Sequence, residues 1–329
     1  MIKLSPLIGD HAVFADNGPV PVSGLSDGPV TVSFAEKTVT ATPENGVFAA
    51  YLPQTPAGGP YTLTVESNGE TVEYCDIYVG RVYLLAGQSN AEFRLEESDT
   101  DRSEYMTDPY LRNCFIPRPW IQNDVMSGGW RTARAENVGS WSAVAYLTGK
   151  AVREKTGGAV GFVSCFQGAS VIESWLPREK AAAFSLPPDL LHIDHTYPEY
   201  ASWNSPGVIY ETMLSPLFPF RFSGVVWYQG ESDTTVSEAE IYGDELGCLI
   251  STVREENNDP SLPFTVVQIA DFDPRDDDGW HLIQAAQAAA SKHIPFCKTV
   301  RSADVCQSAV IHPPTKSLLS NRIAKALTE

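Results

Sequence analysis

From Arg81 onward the chain alternates short apolar runs with amphipathic stretches, and this rhythm limits the folds open to it more than any other feature. The apolar runs occupy residues 82–86, 160–164, 224–228, 264–269 and 298–301. They are too short for core helices, and the first three are apolar nearly throughout, as expected of strands buried on both faces. Between them lie stretches at helical spacing, 142–155, 238–256, 281–292 and 315–327. In the second, Tyr242, Leu246, Leu249, Ile250 and Val253 share one face, and the first stops at Gly157-Gly158, a helix C-cap signal. Strands alternating with helices predict an α/β fold, a parallel sheet flanked by helices. The Pro- and aromatic-rich residues 178–206 read as a long loop shaping a site rather than a linker.

Residues 1–80 have a different rhythm. Residues 30–34 and 61–66 alternate in character, and the latter meets 71–74 across Ser67-Asn68-Gly69-Glu70. Asn-Gly tolerates positive φ, so this is a hairpin signal, and Asn45-Gly46 marks another turn. Short strands at this spacing predict a small β-sandwich, Ig-like or jelly-roll-like, over residues 1–80, followed by the α/β domain over 81–329.

Composition narrows the partners. The 329 residues are 43% hydrophobic, enough for a packed core, and carry 41 acidic against 23 basic side chains, a net charge of −18. Nucleic acid and anionic membrane surfaces need basic patches, so neither is expected as a partner. The six cysteines have no CxxC spacing and read as thiols, not as a disulfide framework or zinc site. Residues 1–6 hold no signal-peptide core, which gives the expectation of a cytoplasmic protein. Nothing in the sequence indicates an oligomeric state.

The chemistry gathers in four segments: Gly87-Gln88-Ser89-Asn90, Cys165 to Trp175, Val226 to Asp233, and Ile311-His312-Pro313-Pro314-Thr315-Lys316. The first three follow strands and the fourth precedes the last helix, so all could meet at the carboxyl edge of the sheet. Serine is a poor nucleophile until a base takes its proton, and His312 is the natural base for Ser89. A tetrahedral oxyanion needs fixed donors, and the Ser89 N–H, the Gly168 N–H and the Gln229 side-chain amide are available. Rival signals are weaker. The acids of 271–278 read as a solvated loop, with Arg275 where a calcium loop needs a ligand. His192-Ile193-Asp194-His195 reads as loop packing or substrate contact, since no third metal ligand is in view.

On these residues the chain resembles the sialate O-acetylesterase-like branch of the SGNH (GDSL-like) carbohydrate esterases. The likeness spans Gly58-Gly59-Pro60-Tyr61, Gly80-Arg81-Val82-Tyr83, the GQSN tetrapeptide, residues 141–146, Ile172-Glu173-Ser174-Trp175, residues 213–217, Trp227 to Ser232 and Ile311-His312-Pro313. The resemblance implies an SGNH, flavodoxin-like core and removal of acetyl groups from carbohydrate through an acyl-enzyme, without metal or organic cofactor. It makes Ser89 the nucleophile and His312 the base, with Gly168 and Gln229 lining the oxyanion hole. An acetylated sugar or glycan is the implied partner; an acetylxylan or plant-glycan deacetylase and an inactive sugar-binding relative are the alternatives. Many SGNH enzymes carry the triad acid two or three residues before the histidine, where this chain has Val310 and Ala309. Ala91 and Gln284 also depart from common family residues. Asp304 is the first choice for the acid, Glu231 its competitor, and a Ser–His dyad the third possibility.

Overall fold

The computed structural model describes residues 1–121 and 129–329. The N-terminal part is built of β1 (Lys3–Leu4), β2 (Val13–Ala15), β3 (Val20–Leu25), β4 (Val30–Phe34), β5 (Lys37–Ala41), β6 (Val47–Leu52), β7 (Gly58–Ser67) and β8 (Glu70–Gly87). One sheet runs β1-β3-β6; in the other, β4 pairs with β5 and β7, and β8 pairs with β7 and β2. The hairpin between β7 and β8 turns on Asn68 and Gly69, with φ of 51° and 79°, the left-handed pair that a two-residue hairpin loop requires.

β8 then passes directly into the central sheet. Residues up to Gly80 pair with β7 and β2, whereas Arg81 to Gly87 pair with β11 (Val160–Phe166), and Tyr83 to Gly87 also with β12 (Gly224–Tyr228). The expected boundary at residue 80 therefore falls inside a continuous strand. The two parts also share a core, with the Phe14 and Phe220 rings 5.7 Å apart and Trp130 Nε1 donating to the Leu7 carbonyl at 2.9 Å.

With β9 (Asp108–Phe115), β10 (Trp130–Ala133), β13 (Phe264–Val267) and β14 (Cys297–Val300), the sheet order is β10-β9-β11-β8-β12-β13-β14. All neighbours are parallel except β10, which is antiparallel to β9, so the sheet is mixed rather than wholly parallel. This edge hairpin has no counterpart in the sequence reading. The five strands that do, β11-β8-β12-β13-β14, read 2-1-3-4-5 in chain order, the flavodoxin-like arrangement.

Helices cover both faces. Ala143–Thr156 and Ser317–Thr328 pack on one side through Val144, Leu147, Val152, Leu319 and Ile323. Val236–Glu256 and Asp278–His293 pack on the other through Leu246, Leu249, Val253 and Ile283. Burying each such side chain contributes about 1.5–3 kcal/mol, which anchors the strand ends that carry the polar segments. The Ser142 hydroxyl caps Ala143–Thr156 by accepting from the Ala145 N–H, and Gly157 closes it at φ 72°. Residues 178–206 form a sequence of short helical turns, as a loop-like excursion should.

Candidate active site

The order of strands reverses between β8 and β12, and in open α/β sheets ligands collect beyond the carboxyl ends at such a switch point. Ser89 sits there, two residues past the end of β8, at the start of the short helix Ser89–Glu92. Gly87 makes the turn possible: its φ is 147°, and a Cβ on it would lie 2.0 Å from the Tyr228 carbonyl oxygen. No other residue type fits between these two strand ends.

Ser89 Oγ lies 2.7 Å from His312 Nε2, although the two residues are 223 positions apart. Gly168, in the loop after β11, comes alongside; a Cβ on it would stand 3.7 Å from Ser89 Cβ. The backbone N–H groups of Ser89 and Gly168 donate to no acceptor among the described residues. A hydroxyl touching an imidazole, with open N–H donors beside it, is a geometry able to form and stabilise a tetrahedral oxyanion.

His312 is held through its neighbour. Asn90 is buried; its Nδ2 donates to the Ile311 carbonyl at 2.9 Å and to Glu231 Oε1 at 2.7 Å, while its Oδ1 accepts from Lys316 Nζ at 2.8 Å. The ammonium of Lys316 is buried between the Phe93 and Tyr228 rings, 5.0 and 5.6 Å from their centroids, and burial lowers its pKa to about 8. Neither Asn90 nor Lys316 received a role from the sequence, although both lie inside the motif segments.

The pKa of His312 is lowered, first by desolvation and then by the nearby Lys316 charge, with Glu97 opposing. His312 is an exposed residue, so solvent limits the size of that shift.

The expected acid does not meet His312. Asp304 pairs with Arg322 through both carboxylate oxygens, at 2.7 and 2.8 Å, and hydrogen bonding to that guanidinium holds its pKa at about 2. Glu231 is turned to Asn90 instead, and desolvation raises its pKa. Among the described residues no carboxylate is hydrogen-bonded to the His312 ring.

Gln229 also departs from its expected position. It is fully buried, with Nε2 donating to the Ser170 carbonyl at 2.8 Å and closely to Asp233 Oδ2, and with Oε1 accepting from the Tyr242 hydroxyl at 3.0 Å. Both amide hydrogens are thus committed to the scaffold rather than aimed at Ser89. The neighbouring Gln88 ties the same loops together: its N–H donates to the Tyr228 carbonyl, and its Oε1 accepts from the Gly230 N–H at 3.2 Å.

A sequence model of the carbohydrate esterase family described as sialic acid-specific acetylesterase matches residues 79–329. The chain belongs to that family. It is 25% identical to human sialate O-acetylesterase over 301 residues, covering 81% of this chain and 57% of the human protein. The mouse sialate O-acetylesterase is 23% identical over 368 residues, covering 94% and 68%. The chain thus spans little more than half the length of the human relative. Among solved structures, a carbohydrate acetylesterase from Xanthomonas citri superposes with a TM-score of 0.86 at 30% identity, covering 99% of this chain and 74% of that one. The fold, with helices on both faces of a central mixed sheet, is therefore that of a carbohydrate esterase.

An aromatic shelf flanks the Gly168 loop. Trp120 Nε1 donates to Gln167 Oε1 at 2.7 Å, and its ring lies 6.0 Å from Trp203; Tyr200 lies 5.2 Å from Trp203, with Tyr197 stacked on it at 5.5 Å. The sequence marked 178–206 as site-shaping without singling out these rings. No helix among the described residues is long and apolar enough to cross a membrane.

Proposed function

We propose that the chain is a serine esterase of SGNH type that removes O-acetyl groups from carbohydrate through an acyl-enzyme. The observation carrying this reading is the 2.7 Å contact between Ser89 Oγ and His312 Nε2 beside two open backbone donors. Neutral His312 takes the hydroxyl proton as Ser89 Oγ bonds to the acetyl carbonyl carbon. The carbonyl oxygen becomes an oxyanion facing the Ser89 and Gly168 N–H groups. Collapse breaks the ester bond; the departing sugar oxygen takes the proton from the imidazolium, leaving acetyl-Ser89. Water, deprotonated by His312, repeats the sequence and releases acetate. Residues 1–80 are read as an accessory β-sandwich in the same protein.

Family membership and the names of the relatives support an acetylated sugar as substrate. The shelf of Trp120, Trp203 and Tyr200 favours a second candidate beside acetylated sialic acid, an acetylated glycan with further rings to lie on it. The test is acetate release from O-acetylated sialic acids and from acetylated xylan oligosaccharides, with wild type and Ser89→Ala. Turnover by wild type alone, with covalent labelling of wild type alone by a fluorophosphonate, is the expected result. Turnover by Ser89→Ala would remove the acyl-enzyme reading; wild type that binds these sugars without releasing acetate would make the chain a binding protein.

A further inference from the structure

Behind Gln229 lies a set of ionisable groups that the ester chemistry does not use. Glu173, from Ile172-Glu173-Ser174-Trp175, Asp233, from the loop after β12, and His195, from the 178–206 excursion, bring one donor atom each within 4.8 Å of one another. Glu238 and Glu245, on the helix Val236–Glu256, border the group and act electrostatically on Asp233. Four carboxylates thus crowd together, two of them close to the His195 ring, and among the described residues no lysine or arginine pairs with any of the four. Buried charges in such numbers are stable only if they keep protons, pair with a cation or coordinate a metal.

The orphaned atoms separate these cases. Glu173 is only 7% exposed, and its Oε2 has no hydrogen-bond partner. His195 Nε2 lies 3.8 Å from that oxygen and 3.0 Å from Glu238 Oε1, yet it too lacks an aligned hydrogen bond. Glu245 Oε1 is a third orphan. Asp233, by contrast, already accepts from the Ile172 N–H at 3.0 Å and from Gln229, which fixes its orientation as second-sphere hydrogen bonds fix a ligand. A cavity of about 240 Å³, lined by Glu173, His195 and Asn204, gives access.

We propose that Glu173, His195 and Asp233 form a binding site for one divalent first-row cation, Zn²⁺ or Mn²⁺. Ligand atoms about 2.1 Å from such an ion stand roughly 3.4 Å apart in a tetrahedron and up to about 4.2 Å across a wider geometry. The 3.8 Å separation of Glu173 Oε2 and His195 Nε2 already falls in that range. Two carboxylates with one imidazole suit zinc or manganese better than calcium or magnesium, which favour all-oxygen shells. The two carboxylates of Glu173 and Asp233 balance the charge of a divalent ion. The ion ties three chain segments together: the loop carrying Gly168, the loop carrying Gln229, and the excursion carrying the aromatic shelf. Its role is to brace the site, and no step of ester hydrolysis passes through it.

The full chain, stripped with EDTA and freed of chelator, is titrated calorimetrically with ZnCl₂ and separately with MnCl₂. Saturable binding of one equivalent of at least one ion, with a rise in melting temperature, is expected. Glu173→Gln keeps the side-chain shape and should weaken binding by more than about tenfold, since even outer-sphere losses cost that much. His195→Gln tests the cavity side independently, and His281→Ala, which removes an exposed imidazole beside Asp276, should leave binding unchanged. Anomalous diffraction from a crystal soaked in the bound ion should place it between Glu173, His195 and Asp233. Absence of saturable binding by either ion, unchanged affinity in Glu173→Gln or His195→Gln, or an anomalous peak elsewhere would overturn the proposal.

Discussion

Gln229 separates a scaffold role from a catalytic one, because the sequence and the structure give it different duties. Truncation by Gln229→Ala removes the donor to the Ser170 carbonyl and to Asp233 Oδ2, both in fully buried surroundings. Leaving a buried polar group unsatisfied costs about 1–3 kcal/mol, so these two together cost about 2–6 kcal/mol. The Tyr242 hydroxyl loses little, since it still donates to the Gln229 backbone carbonyl at 3.0 Å and accepts from Trp227 Nε1 at 3.2 Å. The one lost buried methylene adds about 0.8 kcal/mol. A net loss of about 5 kcal/mol is a large part of an ordinary folding free energy and should lower Tm by about 7 °C in a chain of this length. The assay pairs a urea or thermal melt with acetate-release kinetics at a temperature where the variant remains folded. The scaffold reading expects a large stability loss, with rate changes that accompany it. A Tm within about 2 °C of wild type, together with kcat about a hundredfold lower at unchanged KM, would mean that the amide serves the oxyanion and the reasoning fails.

Asp304→Asn should leave kcat near wild type, because Asp304 is engaged by Arg322; a drop of several thousandfold would identify it as the triad acid after all. Asn90→Ala strips partners from the buried Lys316 ammonium and Glu231 and frees the Ile311 carbonyl, so it should cost about 3 kcal/mol by chemical denaturation and also lower kcat; unchanged values of both would remove it as a support of His312. The acid limb of kcat/KM should fall below an ordinary histidine pKa of about 6.5, since His312 acts as neutral base and its pKa is lowered; activity is gained as pH rises through that value. Glu97→Gln removes the opposing negative charge and should move the limb lower still, and a shift to higher pH would contradict the assigned electrostatics.

The sequence disclosed the parts of the fold governed by local rules. Residues 224–228 form β12 as expected, because a run apolar on both faces has few other places to go. Ser142 and Gly157 bound their helix because a hydroxyl N-cap and a left-handed C-cap act over a few residues. β9 and β10 stayed hidden for the opposite reason. Asp108–Phe115 is partly polar, with Arg112 buried by pairing to Asp76 from the N-terminal part, and nothing local announces so distant a contact. The continuity of β8 was hidden likewise, since Thr71-Val72-Glu73-Tyr74 alternates for one sheet and Val82 to Ala86 is apolar for another, which looks like two strands.

The same distinction explains the site. Ser89 and His312 were legible because each chemical type is needed and each lies at an element boundary, where a sheet edge gathers such residues. The duties of Gln229 and Asp304 were not, because a side-chain amide or carboxylate serves whichever buried partner lies closest in three dimensions. For Gln229 those partners are Ser170 and Asp233, 59 and 4 residues away; for Asp304 it is Arg322, 18 residues on. His195 shows the point most plainly. Read with its sequence neighbours it lacked a third ligand, and the fold supplies Glu173 and Asp233 from 22 residues before it and 38 after. What fixes the role of a polar side chain here is therefore the set of buried groups it must satisfy, and that set is assembled by the sheet topology rather than by spacing along the chain.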